Sequence, residues 1–246
     1  MIGPLLVIGQ SHVAAIRAAA RTRREADPDA PRTRVIHMLE PRYGPALRAD
    51  DTAFAAPLVD AIRDQIDRHD PRVASCIGGN AHNILGLIRH PRPFDVRLSP
   101  DDVLDPAAEP LTQAILRATL ADAMARDLTR LRLLADLVHP LVHLESPPPL
   151  RDDALIAERA DAFFRDRDLL AHGVAPAALR HRLWRLHGAI VRDACDALGI
   201  RYIPVPATLC DADGYLDPAL AGDATHGNMA YGEAMIGLLE DLSWPE

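Results

Sequence analysis

Lysine is absent: all 27 basic residues are arginine. That omission removes the Schiff-base lysine, the pyridoxal-phosphate anchor and the P-loop lysine, and the chemistries built on them. Cysteine is scarce. Cys76, Cys195 and Cys210 stand far apart, with no C-x-x-C pair for a zinc ribbon or a dithiol redox site, and an odd count suits a reducing compartment. Aromatic residues make up 4% of the chain, which argues against a broad lipid-binding groove. No run of eighteen apolar residues occurs, so no membrane span is expected. The apolar stretch from Met1 to Gly9 is short and lacks a basic flank. It reads as a strand rather than a signal peptide, and the cytoplasm is the expected compartment. A net charge of −8 argues against nucleic acid or an anionic membrane as main partner.

What is present is a 246-residue chain, 48% hydrophobic, long enough to bury a core without staples. Five short apolar, β-branched runs stand out, at 4–9, 33–39, 72–78, 137–145 and 200–206. Between them lie alanine- and arginine-rich stretches with helical spacing, at 12–24, 57–69, 111–134, 176–198 and 228–242. Strands alternating with helices imply parallel pairing and right-handed crossovers. The expected fold is a three-layer α/β/α sandwich around a five-stranded parallel sheet, flavodoxin-like in its order 2-1-3-4-5, forming one domain over residues 1–246. Leu198-Gly199-Ile200 marks a helix stop before a strand, and Asn228 is placed to cap the last helix. Surface excursions are expected near 90–110, which is rich in Pro and Asp, and near 147–175, where three prolines end a strand and a charged, helical cover over 151–173 follows.

Three short segments carry the chemistry. Gly9-Gln10-Ser11 follows the first strand, Gly78-Gly79-Asn80 the third, and Asp223-Ala224-Thr225-His226 precedes the last helix. Each also has a structural reading: Ser11 as a helix cap, Asn80 as a turn residue, Asp223 and His226 as a surface turn. Ligands of open parallel sheets bind outside the carboxyl ends of the strands, which brings all three segments to one rim. Together they provide a nucleophile, a base, a residue to orient the base and a side-chain amide donor, the parts of an acyl-transfer site.

In this order the three segments resemble the SGNH hydrolases, the GDSL-type esterases and lipases. Ser11 falls on the nucleophile block, Gly78-Gly79-Asn80 on the Gly-x-Asn block and Asp223 to His226 on the Asp-x-x-His block; Asn228, Tyr231 and Gly232 resemble the family's continuation into its last helix. The resemblance implies that His226 takes the Ser11 proton, that Asp223 orients the ring, and that Asn80, the Ser11 N–H and the Gly44 N–H hold the oxyanion, with no cofactor and no metal. Gly44 stands for the family's glycine block as the sole glycine between Gly9 and Gly78, and Gln10 occupies the place of the family's usual aspartate. His12 and His82, next to the nucleophile and to Asn80, are candidates for substrate contact. His139 and His143, four apart in a presumed strand, share a face and read as packing or hydrogen-bonding residues.

The expected activity is therefore a serine esterase acting on a small-molecule or carbohydrate ester, an acetyl group on a polar alcohol. An O-acyltransferase using the same serine and an inactive ligand-binding or scaffold domain of the same fold are the alternatives. A flavodoxin-like phosphate binder is disfavoured, because the loop Gly9-Gln10-Ser11-His12-Val13 is bulky.

Overall fold

In strand β1 (Leu5–Gly9), Leu5 and Val7 face one side and Leu6 and Ile8 the other, and all four are buried. A strand apolar on both faces needs a cover on each, and the chain supplies two. The computed structural model describes residues 3–29 and 32–244. Its further strands are β2 (Thr33–His37), β3 (Arg72–Cys76), β4 (Phe94–Val96), β5 (Glu109–Leu111), β6 (Leu141–Leu144) and β7 (Arg201–Ile203). Strands β4 and β5 form a separate parallel pair. The main sheet runs β2-β1-β3-β6-β7, every pair parallel. With the small pair set aside, this is the expected order 2-1-3-4-5.

One cover consists of α1 (Val13–Ala26) and α10 (Met229–Asp241), which pack on Leu5, Val7, Ala74, Val142 and Ile203. Three short helices extend it: α6 (Asp153–Arg159), α7 (Ala162–Arg165) and α8 (Leu169–His172), anchored by the buried Ile156, Phe164 and Leu169. The other cover holds α2 (Ala56–His69), α4 (Gln113–Ala123), α5 (Ala125–Leu137) and α9 (Ala177–Ala197), packed on Leu6, Ile8, Ile36, Val73 and Leu141. A short helix, α3 (Ala81–Gly86), follows β3.

Several boundaries differ from the expected ones. The stretch 111–134 is two helices, because the backbone breaks at Met124 (φ −92°, ψ −3°). Met124 is itself buried, so the apolar period runs across the break and conceals it. The second helix continues to Leu137, and the strand expected from 137 begins only at Leu141. His139 is consequently exposed in the connection and shares no strand face with His143. Strand β7 stops at Ile203, since Pro204 and Pro206 have no N–H for a ladder. The excursion at 90–110 is pinned inward: the nearly buried Asp95 meets Arg182 at 2.8 Å and accepts the Asp105 N–H at 2.9 Å. The cover at 151–173 is three short helices separated by bends, not one long element.

Helices α1 and α10 cross where Gly232 meets Ala15. A Cβ at position 232 would lie 2.1 Å from the Ala15 carbonyl oxygen and 2.7 Å from the Ile16 nitrogen. Both are backbone atoms and cannot swing aside. Gly232→Ala is expected to force the helices apart at a cost of about 1–3 kcal/mol, more than the roughly 1 kcal/mol that alanine gains in helix propensity. Thermal denaturation should show Tm lowered by several degrees. A Tm at or above that of the parent would mean that the crossing has slack.

Candidate active site

The register of the sheet puts the segments after β1 and β3 on one rim, and the packing of the His226 ring on His12 brings the third beside them. Gly9 is level with His37 of β2 and with Cys76 of β3, so the chain leaves β1, β2 and β3 at one height. Position 9 admits only glycine: a Cβ would stand 2.4 Å from the Cys76 carbonyl oxygen. The Gln10 N–H donates to that same oxygen at 3.2 Å, and the chain then turns through Ser11 into α1. The N-cap position of α1 falls on His12, which makes no capping bond, so Ser11 is half-buried in the turn and is not the helix cap.

Gln10 ties the Ser11 turn to the Asn80 loop. Its Oε1 accepts the Gly78 N–H at 2.8 Å, and its Nε2 donates to Asp127 Oδ1 at 2.9 Å. Arg130 holds Asp127 from the next turn of α5, at 2.5 Å. On the other side His187 of α9 donates from Nε2 to the Gly78 carbonyl at 2.6 Å. The peptide at Gly78 is thus clamped at both N–H and C=O. Two residues on, Asn80 Oδ1 accepts from Asn83 Nδ2 at 2.7 Å. With its oxygen engaged, the amide of Asn80 keeps Nδ2 as its free donor. A carboxylate at position 10 would have no N–H to give Asp127, which is why an amide fits this network.

Asp223 and His226 form a hydrogen-bonded pair. The His226 Nδ1–H lies 2.8 Å from Asp223 Oδ2 and 3.0 Å from Oδ1, while Oδ1 also accepts the N–H groups of Thr225 at 2.7 Å and His226 at 2.8 Å. Partial burial works against the Asp223 charge, but the imidazole and these N–H donors outweigh it and hold the carboxyl down at about 2. The turn is closed by the Gly222 N–H donating to the His226 carbonyl at 2.8 Å. Asn228 caps α10 as expected, accepting the Tyr231 N–H at 3.1 Å. The surface-turn reading is therefore correct about the turn, but the turn also fixes the ring. His226 Nε2 is shielded from solvent and has no partner among the described residues. The ring packs 4.8 Å, centroid to centroid, from that of His12, the residue after Ser11.

Two of the expected site residues lie differently. The Gly44 N–H donates to the Pro41 carbonyl at 3.0 Å, closing a 3-10 turn (Pro41–Tyr43) on the exposed side of the loop. As folded, that N–H is spent and is no oxyanion donor. His82 is 2% exposed and packs against His187 at 4.9 Å, so its ring is closed off from solvent. His12 does border the site. Burial and the neighbouring His226 hold its pKa down at about 3, and both of its ring nitrogens are shut off from solvent. With Gly79, Ser146, His187, Tyr231 and Met235 it lines a cavity of about 20 Å³ behind the rim.

Sequence reasoning did not find Asp127, Arg130 or His187. They come from two helices far along the chain, and no local spacing marks them. Gln10 did carry a signal, as the place where the nucleophile block departs from its usual form. Among the described residues no group of three or more His, Cys, Asp or Glu is arranged to hold a metal ion, and no helix is long and apolar enough to cross a membrane.

No protein-family model and no curated protein matches the chain. Solved structures of similar course do exist. A candidate acylhydrolase of Bacteroides fragilis is 10% identical, over 97% of this chain and 85% of that one, with a TM-score of 0.46. The periplasmic domain of a lipopolysaccharide acetyltransferase of Salmonella ser. Paratyphi A is 13% identical, over 96% and 82%, with a TM-score of 0.45. An acetylxylan esterase of Geobacillus stearothermophilus is 12% identical, over 99% and 96%, with a TM-score of 0.41. At these identities and TM-scores, the functional assignment rests on the geometry of the chain's own residues.

Proposed function

We propose that the protein is a serine esterase that hydrolyses a small acyl ester, an acetyl group on a polar alcohol or carbohydrate, with Ser11 as its nucleophile. The observation that carries this reading is the Asp223–His226 pair. Its Nδ1 bond of 2.8 Å leaves an unpartnered Nε2 on a ring packed against the residue that follows Ser11. In this mechanism Nε2 takes the Ser11 proton as Oγ attacks the acyl carbonyl. Asn80 Nδ2 and the Ser11 N–H stabilise the oxyanion. Collapse expels the alcohol, which takes the proton from His226, and water then repeats the sequence to release the acid and free Ser11. Asp223 stays ionised throughout and stabilises the imidazolium.

Fluorophosphonate labelling tests the assignment. The intact protein should acquire one adduct, mapped by mass spectrometry to Ser11. Labelling elsewhere or none would leave the ligand-binding reading. Product analysis with and without a candidate alcohol then separates hydrolysis from transfer. Asn80→Ala should lower kcat by about 10²–10³ while KM stays near the parent value, the signature of a donor used in the transition state. A change confined to KM would reassign Asn80 to substrate binding.

A further inference from the structure

Strand β2 is the edge of the sheet, paired only with β1, and the sheet leaves its outer side open. A groove of about 650 Å³ runs along that side between α1 and α2, from Thr33 at the start of the strand to Glu40 and Tyr43 beyond its end. In a chain of net charge −8, its walls carry four arginines, Arg17, Arg24, Arg34 and Arg42, against two acids, Glu40 and Asp64. The acids are already committed. Glu40 meets Arg17 at 2.6 Å and Arg42 at 2.7 Å, and Asp64 meets Arg68 at 2.6 Å. Arg32 and Asp27 continue the wall into an adjoining recess of about 80 Å³ that also holds Arg24 and Arg34.

Three guanidinium groups remain without a carboxylate ion pair among the described residues, Arg24 from α1, Arg32 at the approach to β2 and Arg34 within β2, against one further acid in the recess, Asp27, whose Oδ1 accepts the Asp29 N–H at 3.0 Å. Partial burial, followed by the charges of Arg32 and Arg24, pushes the Arg34 pKa down from its usual value. Like charges gathered in a recess repel one another, and folding gains nothing from holding them together. An anion seated between them would reverse the sign of that interaction. The planar fork of a guanidinium matches a tetrahedral oxyanion in two parallel hydrogen bonds, and the groove is large enough for the organic part of such a ligand as well.

We propose that the groove along the open edge of β2 binds a small organic phosphate through Arg24, Arg32 and Arg34. The site is separate from the Ser11 chemistry and stands or falls without it.

Titration calorimetry of the intact protein with pyrophosphate, at low and constant ionic strength, tests this. Saturable one-to-one binding is expected, with acetate at the same ionic strength giving none. Arg34→Gln and Arg24→Gln should each weaken binding about 10- to 100-fold, the value of a charged hydrogen bond, whereas Arg97→Gln on the 90–110 excursion should leave it unchanged. Without ligand, Arg34→Gln should melt no lower than the parent, because the side chain has no carboxylate to lose; pyrophosphate should raise Tm in the parent and much less in the variant. Absence of pyrophosphate binding, or equal binding by the parent and both groove variants, would overturn the proposal. So would co-sedimentation with vesicles of anionic phospholipid by a protein that ignores soluble pyrophosphate, which would make the patch a membrane-facing surface.

Discussion

Ser11→Ala is expected to lower kcat for ester hydrolysis by about 10⁶, to whatever binding and the oxyanion donors achieve alone, because triad members fail as a unit. The fold should be unaffected: Ser11 is not the cap of α1, and the turn is held by the Gln10 and Gly9 backbone. Asp223→Asn should cost less, up to about 10⁴, for a reason visible in the turn. The N–H groups of Thr225 and His226 donate to Oδ1 and would keep the amide oxygen there. The amide NH₂ would then face Nδ1, which must accept. The ring proton would move to Nε2, and Nε2 could no longer take a proton from Ser11. Purified Ser11→Ala protein that retained turnover on an acetyl ester would end the esterase reading, and an Asp223→Asn enzyme of parental rate would show that tautomer control lies elsewhere.

Acid should unfold this protein well above the pH at which its carboxylates titrate. Burial holds His12 and His143 at about 3, His187 at about 4 and His82 well below its usual value, with neighbouring rings adding a smaller push at His12, His82 and His143. An unfolded histidine titrates near about 6.5. Between these limits the unfolded chain binds protons that the folded chain refuses, so stability is complete above pH 6.5 and falls steadily as pH drops towards 3–4. His12, His143 and His187 each cost about 2 kcal/mol at pH 5 and together about 6 kcal/mol, with His82 acting in the same direction; this is comparable with the whole stability of a typical domain at about 5–15 kcal/mol. The Tm at pH 5 should lie about 15 °C or more below that at pH 7.5. Asp223 has no part in this window: its carboxyl, held at about 2, contributes stability that is lost only below the ordinary carboxylate range. A Tm unchanged from pH 7.5 to 4.5 would mean that these rings take up protons without unfolding. His143→Gln tests the attribution directly. Its ring nitrogen meets Ser75 Oγ at 2.7 Å in the core, so the variant should lose stability at neutral pH but show a shallower fall on acidification.

The order of the sheet was legible in the chain because it depends on local pattern. Runs apolar on both faces, separated by helical spacing, permit few arrangements once crossovers must be right-handed. That the Ser11 and Asn80 segments would meet was legible for the same reason, since each follows a strand end and the level register of β1 and β3 brings such positions together. The Asp223–His226 pairing needs only a four-residue turn, so spacing alone could specify it. The break at Met124 was not legible, because a buried residue at the break preserves the apolar period. Nor was the fate of the Gly44 N–H, which a three-residue turn consumes. The clamp on Gly78, with Gln10 on one side and His187 on the other, joins residues 68 and 109 positions apart and leaves no local trace. The same holds for the arginines along β2: scattered over α1 and the edge strand, they read as ordinary surface charge. Their acidic neighbours prove to be committed only once helices and strand are packed. Hydrophobic periodicity and short turns act over a few residues and are written in the order of the chain; hydrogen-bond partners and counter-charges are set by which distant segments the core brings within about 3 Å.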